Sequence, residues 1–378
     1  MASNPLSAVE IEIIMTNSMP PPLAKLAYQT LQQGKSLAGI AHKELSTRLM
    51  KLMAPDAMPQ VKPLSPELIQ RLWRSKADLE QLDWQDAEDG IYPESLLFDG
   101  PWLDYASHYP LIWLDLPSHW QRRTTRNVKD LPKDTNLEIY PKYYLQNFHH
   151  QTDGYLSDWS ASLYDLQVEI LFNGTADSMR RRVLAPLRRG LKHFHNRAEA
   201  SLRVLDVATG TGRTLKQVRA AFPEVELIGL DLSSAYLRQA NRWLNGQSRD
   251  LVQLVRGNGE NLPFSNDGHQ AVTCVFLLHE LPASARQNVL NECWRVLEPG
   301  GVIVLADSIQ LADSPEFKDV LEGFPRSFHE PYYMDYLRDD IQARLMMSGF
   351  EGITTESHFM TKIWSARKPI ISSEKRIP

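Results

Sequence analysis

The stretch that most constrains this chain is residues 202–214, Leu-Arg-Val-Leu-Asp-Val-Ala-Thr-Gly-Thr-Gly-Arg-Thr. Val204, Leu205 and Val207 form the short apolar run of a strand buried on both faces. Gly210 and Gly212 carry no Cβ, so the backbone there can turn sharply and come close to a ligand. Residues 213–222 then set Leu215, Val218 and Phe222 on one helical face. A strand, a glycine turn and a helix N-terminus in this order make a nucleotide-type site at the carboxyl edge of a parallel sheet.

The alternation continues downstream. Strands are predicted at 225–232, 251–256, 269–278 and 302–306, with helices at 233–244 and 283–297. Ser233 or Ser234 caps the first of these helices, and Pro299-Gly300-Gly301 stops the second. A helix at 333–347, ended by Gly349, precedes two last strands at 352–358 and 361–368, read as a hairpin. This pattern predicts an α/β fold: an open sheet with helices on both faces.

Residues 1–150 read differently from 151–378, and we place a boundary there. A leader over residues 1–20 is closed by Pro20-Pro21-Pro22. Residues 23–53 predict a long helix, with Gly34 or Gly39 as candidate breaks. Ser65-Pro66-Glu67 starts another helix, expected to run to about Leu82 and to bury Leu68, Ile69, Leu72 and Trp73. Six prolines (93, 101, 110, 117, 132 and 141) punctuate residues 91–150 among many tryptophans and tyrosines. That predicts an irregular or short-stranded segment packed on a domain surface. Residues 155–189 read as helical with a turn at Asn173-Gly174-Thr175. Arg180 to Arg197 holds seven Lys/Arg and no acid. It suits either a phosphate, nucleic-acid or lipid surface or a solvated helix face with one arginine turned inward.

Composition narrows the classes. The net charge of −5 argues against a chain built mainly for nucleic acid. Cys274 and Cys293, the two cysteines, give neither a disulfide framework nor zinc spacing and read as buried small apolar residues. No run of about 18 apolar residues is present, so no transmembrane span is expected. Glu10 and Glu12 and the missing basic start make a poor signal peptide, and the expected location is cytoplasmic.

Two acids separate the cofactor classes. Asp231 closes the second strand 19 residues after Gly212, the distance at which an acid takes ribose hydroxyls. Asp206 precedes the glycine turn, where it would repel a pyrophosphate but suits a cofactor with a cationic amino group. Here the chain resembles the class I S-adenosylmethionine-dependent methyltransferases: residues 206–212 match their acid-x-Gly-x-Gly-x-Gly loop, with Ala208 in the first glycine place. Gly257-Asn258-Gly259-Glu260-Asn261-Leu262-Pro263-Phe264 is similar to a stretch of the ubiquinone/menaquinone C-methyltransferase branch (methyltransferase type 11). So are Phe276-Leu277-Leu278-His279-Glu280-Leu281-Pro282 and Arg295-Val296-Leu297-Glu298-Pro299-Gly300-Gly301. The resemblance covers about residues 160–310. It implies a Rossmann-like seven-stranded methyltransferase sheet preceded by a mainly helical, aromatic-rich N-terminal region.

It also implies S-adenosyl-L-methionine as cofactor and S-adenosyl-L-homocysteine as product. Ala208, Thr209, Gly210 and Gly212 would approach the methionine part and Asp206 its amino group. Asp231 would hold the ribose diol, with Leu232 against the adenine. Asn258, where the family has Asp, and Gly259 would meet the adenine ring. Leu277 would be a backbone contact and Tyr164 a cover over the methionine end. Methyl transfer is an in-line displacement, so alignment and exclusion of water dominate, and a base is needed only if the acceptor must lose a proton. His279, His329 and Tyr332 are the catalytic candidates, and His149-His150 are placed to reach the site from the N-terminal side. His149-His150 with Asp153 fits no metal motif, and no metal is expected.

The expected function is therefore methyl transfer to a small organic acceptor, aromatic or lipophilic in keeping with the aromatic segment before residue 160. The N-terminal region is expected to cover the site and supply acceptor specificity. A nucleic-acid or protein methyltransferase using the 180–197 face and a non-catalytic cofactor-binding scaffold are the alternatives; a dehydrogenase fits Asp206 poorly. No stable nucleic-acid partner is expected, while peripheral membrane contact and a monomeric or homodimeric state stay open.

Overall fold

The computed structural model describes residues 20–133, 135–245 and 252–370. The leader expected over residues 1–20 lies, Pro20 apart, outside the described residues. The first helix, α1 (Pro21–Met53), runs unbroken for 33 residues. Gly39 does not break it; a Cβ there would sit 3.2 Å from Asn173 Oδ1 and 3.3 Å from its Cα. The glycine lets α1 close onto the turn at Asn173, whose carbonyl accepts a 3.1 Å bond from Ser36 Oγ.

Helix α2 (Pro66–Glu88) starts as expected, with Ser65 Oγ accepting from Leu68 N. Its buried face is the expected one in part: Leu68 and Leu72 pack, half-buried, against one of the sheet's two cores. Ile69 and Trp73 are each 42% exposed, and the interior takes Leu79, Asp83, Trp84 and Ala87 from the far half. The segment expected to be irregular contains a 24-residue helix, α3 (Trp102–Thr125), with Pro110 and Pro117 inside it. Each proline removes a ladder donor. Tertiary burial outweighs that loss: Ile112 packs with Leu163 and Leu166, and Trp120 with Met50 and Ala57.

Helices α4 (Asp158–Leu171), α5 (Ala176–Arg181) and α6 (Leu184–Leu191) follow. The basic stretch is split: Arg189, Lys192 and Arg197 are exposed, as the solvated-face reading expects, but three arginines rather than one turn inward. Arg180, Arg181 and Arg182 are all buried, at 5%, 2% and 4% exposure. Arg181 Nη2 donates to Asp83 Oδ2 at 2.6 Å and Arg182 Nη1 to Asp86 Oδ2 at 2.8 Å, clamping α2 to the rest of the molecule. The charges opposite these arginines lie about a hundred residues away in sequence, so local inspection could not pair them.

The sheet has seven strands: β1 (Arg203–Val207), β2 (Glu226–Asp231), β3 (Gln253–Arg256), β4 (His269–Val275), β5 (Leu297–Ser308), β6 (Glu351–His358) and β7 (Thr361–Arg367). Their order is β3-β2-β1-β4-β5-β7-β6, with β7 antiparallel to both neighbours and the other pairings parallel. This is the expected α/β sheet, closed by the expected hairpin. Along β5, Val302, Val304 and Ala306 face one core and Ile303 and Leu305 the other. On the first face lie α6, α7 (Arg213–Ala221) and α8 (Ser234–Asn245). On the second lie α9 (Ala283–Val296) and, after α10 (Lys318–Ser327) and α11 (Tyr333–Tyr336), α12 (Ile341–Ser348). Cys274 and Cys293 are buried on the second face, as their apolar surroundings in the sequence imply. Trp84, Tyr92, Leu96 and Leu97 share the first core with Val204 and Val302, so the N-terminal helices are built into the sheet's own interior.

Candidate active site

The chain leaves β1 through three positive-φ residues, Ala208 (59°), Gly210 (56°) and Gly212 (81°). The two glycines serve different ends. A Cβ on Gly210 would meet nothing within 4 Å, so this backbone is open to a ligand. A Cβ on Gly212 would meet Leu244 Cδ1 at 2.9 Å and Ala240 Cβ at 3.1 Å, so this glycine lets the turn pack on α8.

At the end of β2, Asp231 accepts 2.8 Å bonds from the Gly210 and Ser233 amides, tying the glycine turn to the neighbouring strand. Burial pushes its pKa up to about 6, against the opposing pull of those amides. Asp206 has its pKa pushed to about 6 by burial as well, and accepts a 2.6 Å bond from Thr273 Oγ1. Its carboxylate does not line the cleft above the turn; it sits beneath the loop as a brace. Of the expected cofactor residues, Asp206 and Gly212 stand behind the cleft, and the other nine line it.

The cleft encloses about 980 Å³ including its mouth. Opposite the glycine turn stands an aromatic wall of Tyr143, Tyr144, Tyr155, Tyr164 and Tyr236. Tyr155 and Tyr236 meet edge to face at 5.4 Å, as do Tyr164 and Tyr236. Asn258 Oδ1 accepts from Glu260 N at 3.0 Å, leaving its amide nitrogen as the end available to a ligand. Arg180 also lines the cleft, held by Asp177 at 2.9 Å and Asp165 at 3.8 Å. Sequence reasoning placed it in a basic patch; Tyr144, Tyr155 and Tyr236 went unassigned because they come from separate segments.

A second cavity of about 670 Å³, its solvent-open mouth included, adjoins the cleft. Tyr164 and Phe276 line both spaces. Phe276 has φ of 56°, an uncommon backbone state for an aromatic residue, at the exit of β4. A third space of about 1,040 Å³, between α1, α3 and α4, again includes Tyr164, together with His149, Val168 and Leu171 of the second cavity.

His279 lines the second cavity, with its Nδ1 2.7 Å from Asp307 Oδ1. Burial alone would lower its pKa, but Asp307 outweighs burial and lifts it to about 9. The other two catalytic candidates are occupied elsewhere. His329 Nε2 is 2.8 Å from Gln146 Oε1, and burial lowers its pKa. Tyr332 packs edge-on against Tyr143 at 6.5 Å, and its carbonyl accepts from Arg286. Neither lines the cleft or the second cavity. His149, from the N-terminal side, does line the second cavity, between Glu330 (2.6 Å) and Glu280 (3.3 Å). Burial lowers its pKa, but the two carboxylates outweigh this and raise it to about 10.

The strand order, the glycine turn after β1 and the acid that closes β2 define a class I S-adenosylmethionine-dependent methyltransferase, an enzyme. A family profile described as a methyltransferase domain matches residues 204–301. The chain is 33% identical over 177 residues to the demethylmenaquinone methyltransferase of Lactiplantibacillus plantarum, 46% of this chain and 69% of that protein. It is 35% identical over 147 residues to the demethylmenaquinone methyltransferase of Deinococcus radiodurans, 39% of this chain and 56% of that protein. To the ubiquinone/menaquinone biosynthesis C-methyltransferase of Desulfotalea psychrophila it is 30% identical over 167 residues, 44% of this chain and 60% of that protein. The chain belongs to this methyltransferase family. It spans between 56% and 69% of the length of these three relatives.

Proposed function

We propose that this chain binds S-adenosylmethionine in the cleft over Gly210 and methylates a lipophilic, quinol-like aromatic acceptor held in the second cavity. The cofactor would supply an electrophilic methyl group. The residues fit it: Gly210 leaves room for close approach, Asp231 offers a carboxylate to a ribose diol, and Arg180 offers a guanidinium to an amino-acid carboxylate. Leu232 and the Asn258 amide are placed for the adenine.

The observation that carries the acceptor reading is the position of Tyr164. It borders the cofactor cleft, the second cavity and the third space, so the three meet at its ring, with Phe276 shared by the first two. The second cavity presents Phe324, Leu321, Val168 and Met360 to an aromatic head. The third space, walled by Met50, Ile112, Leu116 and Ile170, suits an apolar tail. His279, oriented by Asp307, takes up the acceptor's proton once it has shed its own. With its pKa lifted to about 9 the neutral imidazole is the minor form at neutral pH, so turnover of such an acceptor should rise towards pH 9. The curated relatives named for demethylmenaquinone point to the same acceptor class. Among the described residues no helix is long and apolar enough to cross a membrane.

The test is turnover of the full chain with S-adenosylmethionine and reduced naphthoquinols carrying isoprenoid tails of increasing length. S-adenosylhomocysteine formation with a KM that falls as the tail lengthens supports the reading. Tight S-adenosylhomocysteine binding with no turnover of any quinol refutes it. An acceptor bound at the 180–197 face is not supported, because its arginines 180–182 are buried in ion pairs.

A further inference from the structure

We propose that His149, Glu280 and Glu330 form a divalent-cation site where the N-terminal segment meets the exit of β4 and the loop before α11. One ligand atom from each residue lies within 4.8 Å of the others. A tetrahedral ion with bonds of about 2.0–2.2 Å holds its donors roughly 3.4 Å apart, so His149 Nδ1 and Glu330 Oε1, which lie 2.6 Å apart, must part by under about 1 Å to admit it. Three segments distant in sequence supply the donors.

Glu330 points to a ligand independently of the clustering. Its side chain has no solvent exposure, and neither carboxylate oxygen receives a hydrogen bond. His149 Nδ1 lies only 2.6 Å from Glu330 Oε1, yet it too makes no hydrogen bond, so the pair is close without the alignment an N–H donor requires. Glu330 Oε1 faces the His149 imidazole as its charge partner, but Oε2 has no partner among the described residues, and a buried carboxylate oxygen left unpaired is costly. An ion shared by His149 and Glu330 satisfies both groups at once. The third donor is already positioned: the Tyr155 hydroxyl donates to Glu280 Oε1, the kind of outer contact that orients ligands in metal sites.

One imidazole and two carboxylates with positions left open suit Zn²⁺ or Mn²⁺. His149 lines the second cavity, and on the acceptor reading above an open position would take an acceptor oxygen. Binding of the ion itself does not depend on that reading, and the test needs no turnover.

The full-length chain is stripped with chelator, dialysed and titrated calorimetrically with Zn²⁺ and separately with Mn²⁺; Co²⁺ substitution is followed by visible absorption. One ion per chain with a four- or five-coordinate Co²⁺ spectrum is expected. His149→Gln and Glu330→Gln should each weaken binding on the order of a hundredfold while S-adenosylhomocysteine still binds, which shows that the variants fold. Sub-stoichiometric binding by the wild-type chain, or an octahedral hydrated-ion spectrum, overturns the proposal whatever the variants do. Unchanged affinity in both variants places the ion elsewhere and overturns it too. In either case His149 is an imidazolium between two glutamates.

Discussion

Asp83→Asn tests whether the N-terminal helices belong to the folding unit. Asp83 has no solvent exposure and accepts from both tyrosine hydroxyls beside it, Tyr28 and Tyr92, each at 2.8 Å. Arg181 adds bonds of 2.8 and 2.6 Å from Nε and Nη2, and Arg182 Nη2 one of 3.1 Å. Burial alone would raise this carboxyl's pKa, but Arg181 and Arg182 outweigh burial and hold it well below the usual carboxylate range. The amide keeps the shape and removes the charge, leaving two buried guanidinium groups with Asp86 as their nearest remaining acid on α2. Breaking a buried pair by removing one partner costs about 3–5 kcal/mol. In a chain of this size that lowers the melting temperature by roughly 4–6 °C. The sign of the pH dependence follows from the depressed pKa. The contribution is complete above the unfolded carboxyl's value near 4 and is lost as pH falls below it. The gap between wild type and variant should therefore shrink by roughly 1 kcal/mol per pH unit below about 4. Urea denaturation at pH 7 and at pH 3 measures both quantities. A gap under about 1 kcal/mol at pH 7, or the same gap at both pH values, refutes the argument.

Other outcomes follow from the same geometry. Asp231→Asn should weaken S-adenosylhomocysteine binding by roughly a hundredfold, as two charge-assisted bonds to a diol become ordinary ones; calorimetry reads it. Because Asp231 titrates near 6 and its ionised form accepts the diol, wild-type affinity should fall about tenfold per pH unit below pH 6. The variant should lose most of that dependence, since Asp206, which titrates in the same range, lies behind the cleft. His279→Gln should lower kcat by about 10²–10⁴ for an acceptor that must lose a proton and leave S-adenosylhomocysteine affinity within a few-fold. An equal loss of both would assign His279 a structural part instead. Val168→Trp, at the junction of the second and third spaces, should raise KM for long-tailed acceptors more than for short ones; equal effects would detach the third space from acceptor binding.

What the sequence determined by itself was the sheet and the cofactor loop. Both rest on short-range signals: apolar runs of strand length, glycines at the turn after β1, and an acid at a set distance. These operate within some thirty residues, so period and spacing suffice. Nine of the eleven cofactor positions that the family resemblance implies line the cleft. What only the tertiary structure decided depends on partners far apart in the chain. Prolines at 110 and 117 suggested irregular backbone, but Ile112 and Trp120 had apolar partners on α4 and α1 that made a helix worth keeping. Seven basic residues suggested a surface, but Asp83 and Asp86, about a hundred residues away, drew Arg181 and Arg182 inside. Gly212 and Asp206 read as ligand contacts because type and position alone do not show which side of the loop a residue faces. Their neighbours Ala240, Leu244 and Thr273 turn them away from the cleft. Glu330 carried no signal of a ligand in the sequence, and it became a candidate only when folding set it, buried, against His149.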